Sequence, residues 1–174
     1  MSEKEFETCF NKHYETFCLR VALIINDRDV AEDLVQEAFV KFWENKPAVL
    51  NQESIPAYIS KMAVNNALMY LRTRRQTGIK YEELKLSTPL EADSTEAQLD
   101  AKETENLVTK ALLGLPPACR QVFILSRYEE MSYKEIAEEL DISVKTVENH
   151  IGTALKRLRA ALLSLLLLAW QNFI

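Results

Sequence analysis

Apolar residues recur every three or four positions along most of this 174-residue chain, the spacing of helices that bury one face. The first such run extends from about Glu5 to Ile25 and carries Phe6, Cys9, Phe10, Phe17, Val21, Ile24 and Ile25. Asn26-Asp27-Arg28-Asp29 is a polar break, after which Asp29 can cap a second helix with Glu32 completing a capping box. Val30, Leu34, Ala38 and Phe42 form the stripe of that helix, which ends before Asn45-Lys46-Pro47. Ser54 can cap a third helix with Pro56 in its first turn. Its stripe is Ile59, Met62, Ala63, Asn66, Ala67, Tyr70 and Leu71, and it runs into Arg72-Thr73-Arg74-Arg75.

Residues 79–99 lose this periodicity and hold Ser87, Thr88, Pro89, Asp93 and Ser94, a linker composition with room for a short helix near Tyr81–Leu86. Helical spacing resumes near Ala97, breaks at Gly114-Leu115-Pro116-Pro117, and continues to about Tyr128. An all-α chain of two small domains is expected: residues 1–80, a linker over 81–96, and residues 97–174. With only three glycines and five prolines, the chain lacks the turn residues that a sheet protein needs.

The sharpest local signal lies near the end. Ser132 and Glu135 make a capping box, and a short helix follows that buries Ile136, Ala137 and Leu140. Asp141-Ile142 is a tight turn, and Ser143 caps a longer helix. On that helix Val147, Ile151, Ala154, Leu155 and Leu158 face a core, while Lys145, Asn149, Gly152, Lys156 and Arg159 share the opposite stripe. Two helices on a three-residue turn, the second presenting amide and basic groups, describe a helix-turn-helix. Lysine and arginine neutralise phosphates, asparagine can take adenine through two hydrogen bonds, and glycine permits close backbone approach. Thr146, Glu148, His150 and Thr153 complete the positions expected at DNA. Glu148 tempers that expectation, since a carboxylate there must meet a cytosine amine or repel phosphate.

Charge adds a second candidate surface. The net charge is −5, yet residues 56–81 hold five basic and no acidic side chains, flanked by acidic stretches. A basic block inside an acidic protein is a candidate polyanion site. Three cysteines at irregular spacing fit a reducing compartment better than a disulfide framework. The first residues lack the pattern of a signal peptide, and the longest apolar stretch, Ala160 to Trp170, is too short to span a bilayer. A cytoplasmic protein is expected. Cys9, His13 and Cys18 lack a fourth ligand and fit no closed zinc site. No phosphate loop, nucleophile with a base, or paired carboxylate stands out, so no enzyme, cofactor, metal or small-molecule substrate is expected.

Residues 115–159, LPPACRQVFILSRYEEMSYKEIAEELDISVKTVENHIGTALKRLR, resemble the fourth conserved region of bacterial RNA polymerase sigma factors. AEDLVQEAFVKFWE (31–44) resembles the polymerase-binding second region, and IPAYISKMAVNNALMYLRTRR (55–75) resembles the promoter-melting segment beside it. Two such domains and no others resemble the extracytoplasmic-function (ECF) group of the sigma-70 family. The resemblance implies that Asp33, Leu34, Gln36 and Glu37 dock on the clamp of the largest polymerase subunit, with Phe39 and Trp43 as apolar neighbours. It implies that Asn65 lies beside a base extruded from the minus-ten element, near a loop at about Asn51–Ile55. Tyr58 is then a stacking candidate, and Lys61, Arg72, Arg74 and Arg75 would hold phosphates. Core RNA polymerase and promoter DNA are the implied partners, with an anti-sigma factor, often membrane-bound in the family, that masks these surfaces.

Two departures from the family stand out. Asp141 occupies a turn position where many relatives carry glycine, and Glu148 stands where arginine is common. The tail, AALLSLLLLAWQNFI (160–174), is unusually apolar and is expected to dock against another surface. KTVENHI also resembles the output helix of LuxR-like regulators, but residues 1–80 show none of the alternating strands of a receiver domain. A protein-interaction adaptor without DNA binding is the other alternative.

Overall fold

The computed structural model describes residues 2–45, 51–76 and 107–171, with backbone alone for 52, 162 and 164–171. The linker over 81–96, with the short helix expected near Tyr81–Leu86, lies outside the described residues. The chain divides into two compact units, Met1–Leu86 and Ser87–Ile174, and among the described residues its regular structure is helical.

In the first unit α1 (Glu3–Ile25), α2 (Arg28–Asn45) and α3 (Ile55–Gln76) pack against one another in all three pairings. Helix α1 starts earlier than its apolar stripe because Ser2 closes a capping box: its Oγ accepts from the Glu5 N–H, and its own N–H donates to the Glu5 carboxylate. It ends at Asn26, whose φ of 61° turns the chain in the left-handed region that asparagine tolerates. One residue thus does the work expected of four, and α2 restarts at Arg28. Asp27, not Asp29, caps it, accepting from the Val30 N–H at 3.2 Å, while Glu32 pairs with Arg28 at 2.8 Å. Asp27→Ala is expected to cost about 1 kcal/mol in chemical denaturation, and Asp29→Ala a few tenths through the helix dipole. Equal losses would contradict the assignment of the cap.

The buried face of α2 is Ala31, Val35, Ala38, Phe39 and Phe42; Ala38 and Phe42 are buried as predicted, while Ala31 and Val35 take the place of the half-buried Val30 and Leu34. On α3, Ile59, Ala63, Ala67 and Leu71 are buried as predicted, joined by Ile55, Ser60, Val64 and Leu68. Met62, Asn66 and Tyr70 sit at the border of that face. Two polar contacts fix the packing: Arg20 Nη1 donates to the buried Ser60 hydroxyl at 2.8 Å, and Asn66 Nδ2 donates to the Leu34 carbonyl at 3.3 Å. A 3₁₀ turn over Gln52–Ser54 leads into α3, and Asn51 Oδ1 accepts from the Ser54 N–H at 3.0 Å.

The second unit contains α4, described over residues 107–113, then α5 (Pro117–Arg127), α6 (Tyr133–Leu140) and α7 (Val144–Gln171). Helices α5, α6 and α7 bury Val122, Ile124, Leu125, Ile136, Val147 and Ala154 almost completely. The capping box of Ser132 with Glu135 is present. Asp141 has a φ of 54°, so the position that glycine often fills is held by a residue that tolerates it. Ser143 Oγ accepts from the Thr146 N–H at 3.0 Å and opens α7. Leu155 is exposed rather than buried, and Leu140 and Leu158 are half-buried. With 28 residues, α7 is far longer than α5, with 11, and α6, with 8. The tail is helical to Gln171; its side chains, apart from Ala160, Ala161 and Leu163, lie outside the described residues. Among the described residues no helix is long and apolar enough to cross a membrane.

Candidate functional site

Helix α7 divides cleanly into two faces. Val147, Ile151 and Ala154 are buried, while Lys145, Asn149, Gly152, Lys156 and Arg159 are all exposed, the stripe that the spacing predicted. Glu148 is exposed beside them, and its carboxylate lies 2.9 Å from Lys145 Nζ. This pair lessens the repulsion that a lone carboxylate would offer to phosphate. A Cβ built on Gly152 would meet nothing within 4 Å, so the fold of this unit does not itself require glycine there.

Three predicted positions on α7 serve the helix as well. Thr146 Oγ1 lies 2.8 Å from Ser143 Oγ in the cap, and Thr153 Oγ1 donates to the Asn149 carbonyl at 2.9 Å. His150 is half-buried, with Nδ1 3.4 Å from the thiol of Cys119 on α5. That contact ties the second helix of the motif to the supporting helix.

A second exposed stripe runs along α3: Tyr58, Lys61, Asn65, Met69 and Arg72. The two neighbouring asparagines have different positions. Asn66 reaches inward to α2, whereas Asn65 lies exposed on the outer face. Tyr58 is 42% exposed, with its ring 6.1 Å from that of Phe42, so one part is packed and another open. Arg74 folds back over Tyr70, its guanidinium 6.0 Å from the ring centroid, a geometry within cation–π range. Arg72 and Arg75 are exposed at the end of the same helix. Met69, a large apolar side chain that is 65% exposed, is a position the sequence reading missed. Its signal was available: it stands four residues after Asn65 and off the core stripe.

On α2, Asp33, Gln36, Glu37 and Val40 face outward. Gln36 Nε2 donates to the Tyr14 hydroxyl at 3.1 Å, and Glu37 pairs with Lys41 at 2.6 Å. Leu34 is half-buried. Phe39 departs from the expected placement. It is 2% exposed, its ring 4.9 Å from Phe10 and 5.9 Å from both Phe6 and Phe17. Its place is therefore in the core beneath the surface, packed on the α1 rings of Phe6, Phe10 and Phe17. Trp43 is half-buried, 4.8 Å from Phe6. An apolar groove of about 370 Å³ opens between α1 and α2, lined by Phe6, Phe10, Gln36, Phe39, Val40, Trp43 and Glu44. The contribution of α1 to that surface was not legible from the α2 motif alone.

Among the described residues no group of three His, Cys, Asp or Glu side chains could hold a metal ion. Burial pushes the Cys18 thiol up to about 11 and raises Cys9 and Cys119 as well.

A capped helix-turn-helix with a basic, amide-bearing outer stripe defines a DNA-binding protein of the helix-turn-helix class. The sequence matches two models of one family: "Sigma-70 region 2" over residues 12–77 and "Sigma-70, region 4" over residues 105–158. It is 28% identical to the RNA polymerase sigma factor SigV of Bacillus subtilis over 155 residues, 89% of each chain. It is 27% identical to the ECF RNA polymerase sigma factor SigW of the same organism over 140 residues, 76% of this chain and 75% of that one. The sigma factor RpoE of Bartonella quintana, solved in complex with the anti-sigma factor NepR, shares the fold with a TM-score of 0.53 at 21% identity; the match covers 91% of this chain and 97% of that one. The chain belongs to the sigma-70 family of RNA polymerase sigma factors, in its ECF group.

Proposed function

We propose that this protein joins core RNA polymerase and directs it to promoters, each of its two units carrying part of the task. The observation that carries this reading is the order of the two family regions along one chain, each with its own exposed polar surface. The first domain, taken as residues 1–80, holds the clamp of the largest polymerase subunit through Asp33, Leu34, Gln36 and Glu37, with Trp43 at the edge of the groove. Phe39 supports that surface from beneath. The same domain opens the minus-ten element, with Asn65 at the extruded base, Tyr58 stacking, and Lys61, Arg72, Arg74 and Arg75 on phosphates.

The second domain, residues 97–174, reads the minus-thirty-five element as duplex through Lys145, Asn149, Gly152 and Lys156. Thr146, Glu148, His150 and Thr153 flank these contacts. The protein acts in the cytoplasm and recognises rather than catalyses; bond formation belongs to the polymerase. An anti-sigma factor is the partner that would cover these surfaces in the inactive state, and the apolar tail over 160–174 is a docking segment.

The direct test is enrichment from a pool of randomised duplexes with purified core polymerase. A bipartite motif should emerge only when this chain is present; an unchanged pool would contradict the reading. Gly152→Ala supplies a sharper test of α7. Glycine costs a helix interior roughly 1 kcal/mol relative to alanine, and nothing in the unit would meet the added methyl. Thermal stability should therefore rise while affinity for the enriched duplex falls. Affinity unchanged in the stabilised variant would remove the backbone at Gly152 from the interface.

A further inference from the structure

An amide and several cations on the exposed face of α3 account for hydrogen bonds and phosphate contacts, but Met69 fits neither role. It is 65% exposed, with Asn65 four residues before it and Arg72 three residues after it on the same face. A thioether is only a weak acceptor and donates nothing, so it cannot read a base edge through hydrogen bonds. The hydroxyl of Thr73, one turn further on, donates to the Met69 carbonyl at 3.1 Å. What Met69 offers DNA is therefore apolar contact. In a duplex groove, the apolar group that distinguishes one base pair from the others is the C5 methyl of thymine, in the major groove.

We propose that Met69 is a specificity-determining residue that reads a thymine methyl on a base pair next to the base extruded at Asn65. This rests on the assignment of α3 to the minus-ten element. Four residues of helix advance about 6 Å along the axis, so Met69 stands beyond the opened base, against the adjoining paired DNA. An unbranched, polarisable side chain can settle against that methyl without a fixed rotamer. The neighbouring Arg72 lies one turn further along and can hold the backbone of the same segment.

The experiment replaces thymine by uracil, which removes the methyl and leaves the pairing edge intact. Duplexes enriched with the wild-type holoenzyme are resynthesised with single uracils across the minus-ten element, and initiation is compared for wild type, Met69→Ala and Asn65→Ala. For wild type, one uracil position adjoining the extruded base should reduce initiation about fourfold, the equivalent of ~0.8 kcal/mol for one buried methyl-sized group. Met69→Ala should start lower by a similar factor and be indifferent to uracil at that position. Asn65→Ala should retain the uracil sensitivity while losing strand opening. No uracil effect at any position, or the same effect in wild type and Met69→Ala, overturns the role of Met69. If Asn65→Ala also opens promoters normally, the assignment of α3 itself fails, and the two failures are distinguishable. Because Met69 is mostly exposed, Met69→Ala should match wild type in helical content and thermal unfolding, which keeps the comparison free of folding effects.

Discussion

Replacing Asp33 and Gln36 together by alanine is expected to weaken assembly with core RNA polymerase by about tenfold or more, ~1.4 kcal/mol or above. Both side chains are exposed on α2, so their removal leaves the buried packing around Phe39 intact. Gln36 gives up a 3.1 Å bond to Tyr14 at the surface, a loss of the order of 1 kcal/mol. Far-ultraviolet circular dichroism should therefore be unchanged. Phe39→Ala is the contrasting variant: it deletes a ring in contact with several others and should cost about 3–5 kcal/mol of fold stability. A competition pull-down in which the Asp33/Gln36 variant assembles as tightly as wild type would move the polymerase contact elsewhere. The groove lined by Phe6, Phe10, Val40 and Trp43 would then be the next surface to alter.

Asn65→Ala is expected to slow open-complex formation by about tenfold or more, within the ~1–3 kcal/mol of a good two-bond contact to a base edge, while core binding stays at the wild-type level. Asn66→Ala should do the reverse. It removes the 3.3 Å tie to the Leu34 carbonyl and should lower thermal stability by an order of 1 kcal/mol, with melting little changed. Permanganate reactivity of unpaired thymines follows opening directly. A pre-opened duplex should rescue Asn65→Ala, because it supplies the unstacking that the asparagine assists. Normal permanganate reactivity of this variant on a fully paired promoter would exclude Asn65 from the site.

The helix-turn-helix was the most legible part of the chain. Its signals are local: Ser132 with Glu135, the Asp141 turn and the Ser143 cap each depend on residues within one helical turn, and all appear as expected. The face of α2 was less legible. A helical stripe is wide enough that Leu34 or Val35 can lead it, and only packing against α1 and α3 selects Val35 and Phe39. The break before α2 was misplaced for a related reason. Several adjacent polar residues offer several caps, and the left-handed turn at Asn26 decides in favour of Asp27. The division between Asn65 and Asn66 was legible, since the spacing put Asn66 on the core stripe and left Asn65 off it; the structure adds the Leu34 carbonyl as the inward partner.

Run-off transcription with mapped start sites shows whether this chain confers promoter choice on core RNA polymerase. Purified core polymerase with this protein should yield discrete transcripts from a defined set of start sites that share a two-part upstream motif. Core polymerase without it should yield none of them. Identical start sites with and without the folded protein would contradict the account.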